Sequence, residues 1–121
     1  MTGWRIFFIA AALYNFAAGL PLLVAPEMML AQMGGAVPDD LLYHRVTGWL
    51  VVLFGVLYAM IGRAPERYGP TLWLGVAGKT GVVLLLAEAW TAGRLSTDGF
   101  AIALGDVAFT LGFVVFLLRR G

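Results

Sequence analysis

Cysteine is absent from this chain of 121 residues. That excludes thiol redox chemistry, thiolate metal sites and CxxC-type exchange, and it leaves the redox compartment open. A single histidine, His44, excludes a two-histidine haem site within one chain. Charge is scarce as well. Charged residues make up 12% and the formal net charge is +1, with the arginines scattered at helix ends, so there is no basic footprint for nucleic acid. What fills the chain instead is hydrocarbon: 61% of residues are hydrophobic and the mean hydropathy is +0.89. Soluble domains run about 45–50% apolar and about 25% charged, so both numbers depart toward a membrane protein. The length allows one domain.

The opening of the chain has the outline of a signal peptide, with Arg5 ahead of an apolar stretch. The run continues to Leu23 with no convincing small-x-small cleavage site, so it is expected to span rather than to be removed. Four apolar stretches follow one another, at residues 4–24, 43–62, 71–91 and 99–118. Each has about twenty residues, enough for a hydrocarbon core of ~30 Å at ~1.5 Å per residue. Asp39 and Asp40 precede the second and suit a helix N-terminus, Pro70 opens the third, and Ser96, Thr97 and Asp98 offer N-caps for the fourth. A short interfacial helix is expected at about 26–34, started by Pro26, complemented by Glu27 and stopped by Gly34 and Gly35.

Orientation is read from the basic residues. Arg5, Arg63, Arg67, Arg119 and Arg120 share one side and Arg45 and Arg94 the other, which by the positive-inside rule places both termini in the cytoplasm. The fold class expected is all-α: an antiparallel four-helix bundle integral to the membrane, N-in and C-in. In lipid, helices gain no hydrophobic advantage from mutual contact and approach through small side chains. Gly48, Gly55 and Gly62 recur at heptad spacing on the second span, and Ala101, Gly105, Ala108 and Gly112 form a stripe on the fourth. Gly75, Gly78 and Gly81 populate the third, and Ala11, Ala18 and Gly19 surround Asn15 on the first.

Ionisable groups inside spans are the informative residues, since each costs roughly 2.5–3.5 kcal/mol at the bilayer centre. Lys79 falls ~3 Å to the cytoplasmic side of the third span's centre and Asp106 ~4 Å to the outer side of the fourth's. The axial gap of ~7 Å is within reach of a lysine stem, so a Lys79–Asp106 pair is feasible on neighbouring helices. Glu88 lies ~10 Å beyond the third span's centre, on the face opposite Lys79, where Arg45, His44 or Arg94 could meet it. Asn15, Asp106, Glu88, His44 and Arg45 would then line a cavity open toward the outer face. Two readings of these groups stand side by side. One is a structural ion pair, with Asn15 satisfied by a backbone carbonyl, His44 interfacial and Arg45 reaching the headgroups. The other is a wet pocket that binds a small ligand or passes protons. The Gly78–Lys79–Thr80 triplet is no phosphate loop, because the glycine spacing upstream is wrong and no strand precedes it.

Gly19–Leu20–Pro21–Leu22 through Pro26–Glu27, Arg45 to Gly48, Gly55 to Tyr58, Arg63–Ala64–Pro65–Glu66, Gly75 to Lys79 and Gly105–Asp106 carry a resemblance. Together they resemble the small bacterial four-helix membrane proteins grouped as DoxX-like. The resemblance covers nearly the whole chain and implies a four-helix bundle in the bacterial inner membrane, multi-pass. The quinone-linked activity associated with DoxX is not carried over, because no quinone-site residues match position by position.

The expectation for function is a non-enzymatic bundle with a polar intramembrane pocket near Lys79, Asp106, Asn15, Glu88, His44 and Arg45, binding a small amphipathic, lipid-like or quinone-like ligand. The alternatives are an accessory or anchor subunit of a larger membrane complex, a homo-oligomer, and a proton-coupled small-molecule transporter. Small multidrug exporters of this size rely on an acid in the first span, where this chain has Asn15. No nucleophile constellation or metal motif points to an enzyme.

Overall fold

The computed structural model of the chain describes residues 2–32 and 37–120, Ile102 by its backbone alone. The described residues form helices and connecting turns: α1 (Thr2–Val24), α2 (Pro26–Gln32), α3 (Leu42–Arg63), α4 (Pro65–Tyr68), a 3-10 turn (Gly69–Thr71), α5 (Leu72–Thr91) and α6 (Thr97–Arg120). Four helical stretches are long and apolar enough to cross a membrane, at Thr2–Val24, Leu42–Arg63, Pro65–Thr91 and Thr97–Arg120. The structure divides into two compact units, residues 2–32 with 37–69, and residues 70–120.

In the first unit α1 and α3 pack antiparallel along a seam of glycine. A Cβ on Gly48 would lie 2.6 Å from the Leu23 nitrogen and 2.9 Å from the Gly19 oxygen, so the α1 backbone rests directly on α3 where Gly48 carries no side chain. Gly55 receives the ring of Phe16, and Gly62 receives Phe8. These are the three heptad glycines of the second span, and their spacing keeps one bare stripe turned toward α1. Phe8, Ala11, Ala12, Tyr58 and Ile61 are buried around that seam. Pro21 sits inside α1, which nonetheless continues to Val24, with Ala25 N–H donating to the Pro21 oxygen at 2.7 Å. Pro26 then starts α2 as expected. The glycines expected to stop it, Gly34 and Gly35, lie outside the described residues.

Helix starts follow the polar residues in front of them. The Leu42 amide donates to Asp40 Oδ1 at 3.0 Å, satisfying an N–H that has no carbonyl one turn back. At α6 the Gly99 amide donates to the Ser96 hydroxyl oxygen at 3.0 Å, the geometry of an N-cap serine. The third span's α5 begins at Leu72, within one residue of the expected 71, but a short helix, α4, precedes it. Helical structure begins at Pro65, and Pro70 lies within the 3-10 turn rather than opening α5. Pro65 and Glu66 are the stronger start signal, a proline at the first helical position with an acid beside it.

In the second unit α5 packs on α6, and the turn between them closes by a left-handed glycine. Gly93 has φ +77°, and beyond it the Arg94 amide donates to the Ala89 oxygen at 2.8 Å. Residues with a Cβ rarely adopt that backbone conformation. Trp90 stacks on Phe100 at 4.6 Å between ring centres and donates its indole N–H to the Thr97 hydroxyl at 3.3 Å. Leu72, Ala103, Phe113, Phe116 and Leu117 are buried. Of the small-residue stripe on α6, Ala101 and Ala108 are exposed and Gly105 and Gly112 half-buried. A Cβ on Gly81 would likewise meet nothing within 4 Å.

Candidate functional site

The six residues singled out by their polarity divide between the units, Asn15, His44 and Arg45 in the first and Lys79, Glu88 and Asp106 in the second. Asn15 is buried in α1, and its amide Nδ2 donates to the Val51 carbonyl of α3 at 3.1 Å. A carboxamide in a helix seam is stable only with such a partner, since an unsatisfied polar group in an apolar setting costs several kcal/mol. Asn15 therefore pins the two helices at the level of Gly55, whose Cβ position would fall 3.2 Å from the Asn15 Cβ.

Arg45 and His44 sit in the first turn of α3. Arg45 Nε donates to the Leu23 carbonyl at 3.0 Å. Leu23 is in the last turn of α1, where carbonyls lack intrahelical donors, and α1 has no basic residue of its own there. Arg45 thus caps its neighbour's C-terminus and lays positive charge on the negative end of that helix's dipole. His44 is half-buried, and its Nδ1 is shielded from solvent without a hydrogen-bond partner.

Lys79 and Asp106, feasible partners by sequence, meet. Lys79 Nζ donates to Asp106 Oδ1 at 2.6 Å, from side chains 8% and 15% exposed. The ammonium also lies 5.9 Å from the Phe109 ring centre, within reach of its π-face. One turn along α6, the Thr110 hydroxyl donates to the Asp106 backbone oxygen at 2.6 Å, so the helix carries its carboxylate beside a locally back-bonded threonine. Glu88 is elsewhere. It pairs with Arg94 at the α5–α6 turn, where both side chains are more than half exposed, 63% and 60%. Exposed pairs contribute little to stability, so this one orders the turn at most.

Beside the buried pair runs a groove of about 180 Å³ between α5 and α6, lined by Thr80, Val83, Leu84, Val107, Thr110 and Leu111. Its walls are hydrocarbon with two hydroxyls. Thr110 is committed to the Asp106 carbonyl, while the Thr80 hydroxyl has no protein acceptor among the described residues. Neither threonine was marked by charge in the sequence. Their signal was positional: Thr80 adjoins Lys79, and Thr110 stands four residues from Asp106, on the same helix face.

Among the described residues no group of three or more histidines, acids or cysteines is placed to hold a metal ion. What the α5–α6 arrangement offers is a buried ion pair and, lined by the residues next to it in sequence, an apolar groove that carries the Thr80 hydroxyl. Compared with protein-family models, curated proteins and solved structures, the chain matches none of them.

Proposed function

We propose that this chain is a small multi-pass membrane protein, an antiparallel four-helix bundle with both termini in the cytoplasm, that binds an amphipathic, lipid-like ligand along α5 and α6. The groove takes the ligand's aliphatic part, and Asp106 and Thr80 meet its polar group. The observation that carries this reading is the Lys79–Asp106 pair at 2.6 Å, flanked by an apolar groove of about 180 Å³. Oδ1 is occupied by lysine, which leaves the second carboxylate oxygen to accept a hydrogen bond from a ligand hydroxyl. A formally neutral pair suits an uncharged polar head, because it supplies hydrogen bonds without a net field. The DoxX-like resemblance, with its bacterial inner membrane setting, fits the same reading and leaves a quinone-like head among the ligands of suitable chemistry.

The test is to purify the protein in mild detergent, extract it with organic solvent and identify retained small molecules by mass spectrometry. Wild-type protein should carry a stoichiometric amphipathic compound. Thr80→Phe, which fills the groove and removes its free hydroxyl, should lose it while remaining helical. Equal retention by both proteins would place the compound elsewhere, and none in either would end the proposal.

A second reading has its own observation. The exposed positions through the membrane-length part of α6 are Ala101, Leu104, Ala108, Leu111, Val115 and Leu118, spaced alternately three and four apart. That is the seam a second helix would follow, and it suits an accessory subunit or a homo-oligomer. Disulfide trapping of Ala108→Cys in membranes separates the two cases: self-crosslinking supports the oligomer.

A further inference from the structure

We infer that the end of the first unit bearing Arg5, Arg63 and Arg67 is a docking surface for an anionic phospholipid headgroup. The three are scattered along the sequence but gathered by the fold. The antiparallel packing of α1 on α3 brings the start of one helix to the end of the other, and a Cβ on Gly62 would lie 3.3 Å from the Arg5 carbonyl. Arg63 is the next residue after Gly62 and closes α3. Ala64 then breaks the helix, and α4 turns Arg67 over the Tyr68 ring at 5.3 Å.

All three arginines are exposed, and none takes part in either of the ion pairs found among the described residues. Glu66, exposed beside them, is the one acid in this part of the chain. The other end of the same unit is built oppositely. Its one arginine, Arg45, is committed to the Leu23 carbonyl, and Glu27, Asp39 and Asp40 surround it in sequence. The unit is therefore charged along its axis, with free guanidinium at one end only.

Chemistry selects the partner. α1 has 23 residues and α3 has 22, so each is ~33 Å long and brings its ends to the headgroup layer of a bilayer. Trp4 and Tyr68, both half-buried at this end, suit the same layer. A guanidinium presents a planar fork that matches two phosphate oxygens. Three such forks against one carboxylate favour a phosphodiester with no compensating cation, as in phosphatidylglycerol, over phosphatidylcholine. This is also the end that the positive-inside rule assigns to the cytoplasm, where anionic lipid attracts basic segments. The inference shares the membrane setting of the proposed function but not its groove.

The experiment uses the full chain in detergent with an equimolar mixture of palmitoyl-oleoyl phosphatidylglycerol and phosphatidylcholine, counting retained lipid by native mass spectrometry. Wild-type protein should favour phosphatidylglycerol roughly tenfold, a margin in keeping with several near-surface basic residues. The triple variant Arg5→Gln/Arg63→Gln/Arg67→Gln should lose most of that preference, and Arg67→Gln alone roughly a third of the logarithmic loss seen in the triple variant. Arg94→Gln, in the α5–α6 turn of the second unit and paired there with Glu88, should retain it all. No preference in wild type, or an undiminished preference in the triple variant, overturns the inference. Loss of the groove ligand in Thr80→Phe leaves this result untouched, so the two proposals fail separately. A protein that retains neither lipid and stays soluble without detergent would sink the membrane setting itself.

Discussion

Lys79 and Asp106, 27 positions apart in the chain, close on each other at 2.6 Å from adjacent turns of α5 and α6. The pair solves a problem that each residue poses alone. Either charge unpaired among apolar helices would carry the full penalty of lost hydration, whereas together they replace water with each other.

The energetic signature of such a pair is asymmetry. Lys79→Met or Asp106→Leu alone should destabilise the protein by about 3–5 kcal/mol, because each strands a buried charge. The double variant should recover most of that loss. Thermal unfolding in detergent followed by circular dichroism measures all three. If the double variant is stable yet carries no ligand, the pair has a role beyond holding helices together.

Asn15 should behave as interhelical glue. Asn15→Leu keeps the volume but removes the bond to the Val51 carbonyl, and should cost about 0.5–2 kcal/mol. Unfolding midpoints of the wild-type and Asn15→Leu proteins test this.

Two glycines within membrane-length helices should respond oppositely to the same change. Gly48→Ala puts a methyl 2.6 Å from backbone nitrogen and 2.9 Å from backbone oxygen, where nothing flexible can yield, and should destabilise by about 1–3 kcal/mol. Gly81→Ala meets open space, and should be neutral or stabilise by up to about 1 kcal/mol through helix propensity. Comparable losses at both would argue against the α1–α3 seam.

Topology is directly accessible because the chain has no cysteine of its own. Asp39→Cys and Ser96→Cys should react with a membrane-impermeant maleimide in intact cells, and Arg67→Cys and Arg120→Cys only after lysis. The reverse pattern would invert the orientation, and uniform labelling would remove the membrane from the account.

The long helices were legible because apolar runs of about twenty residues interrupted by Asp, Pro and Ser leave few other options. Lys79 with Asp106 was legible for a related reason: two opposite charges at similar depth constrain each other. Local signals competed less clearly. Pro65 and Pro70 both mark a helix start, and only the backbone shows that the helical stretch begins at the first. Glu88 had three candidate partners, and proximity along the chain decided for Arg94. The Arg45 bond to the Leu23 carbonyl was hidden because a main-chain acceptor carries no mark in the sequence. Ala101 and Ala108 stay undecided from sequence, because small side chains look alike whether they face a helix or open surroundings.

The most direct test of the central claim is an experimental structure of the protein in bilayer nanodiscs made with cellular lipid extract. Elongated non-protein density should fill the groove between Thr80 and Thr110, its polar end within hydrogen-bonding distance of the Asp106 carboxylate. Side chains closing over that groove, with Lys79 and Asp106 sealed together and no density beside them, would contradict the account and leave the pair a purely structural contact.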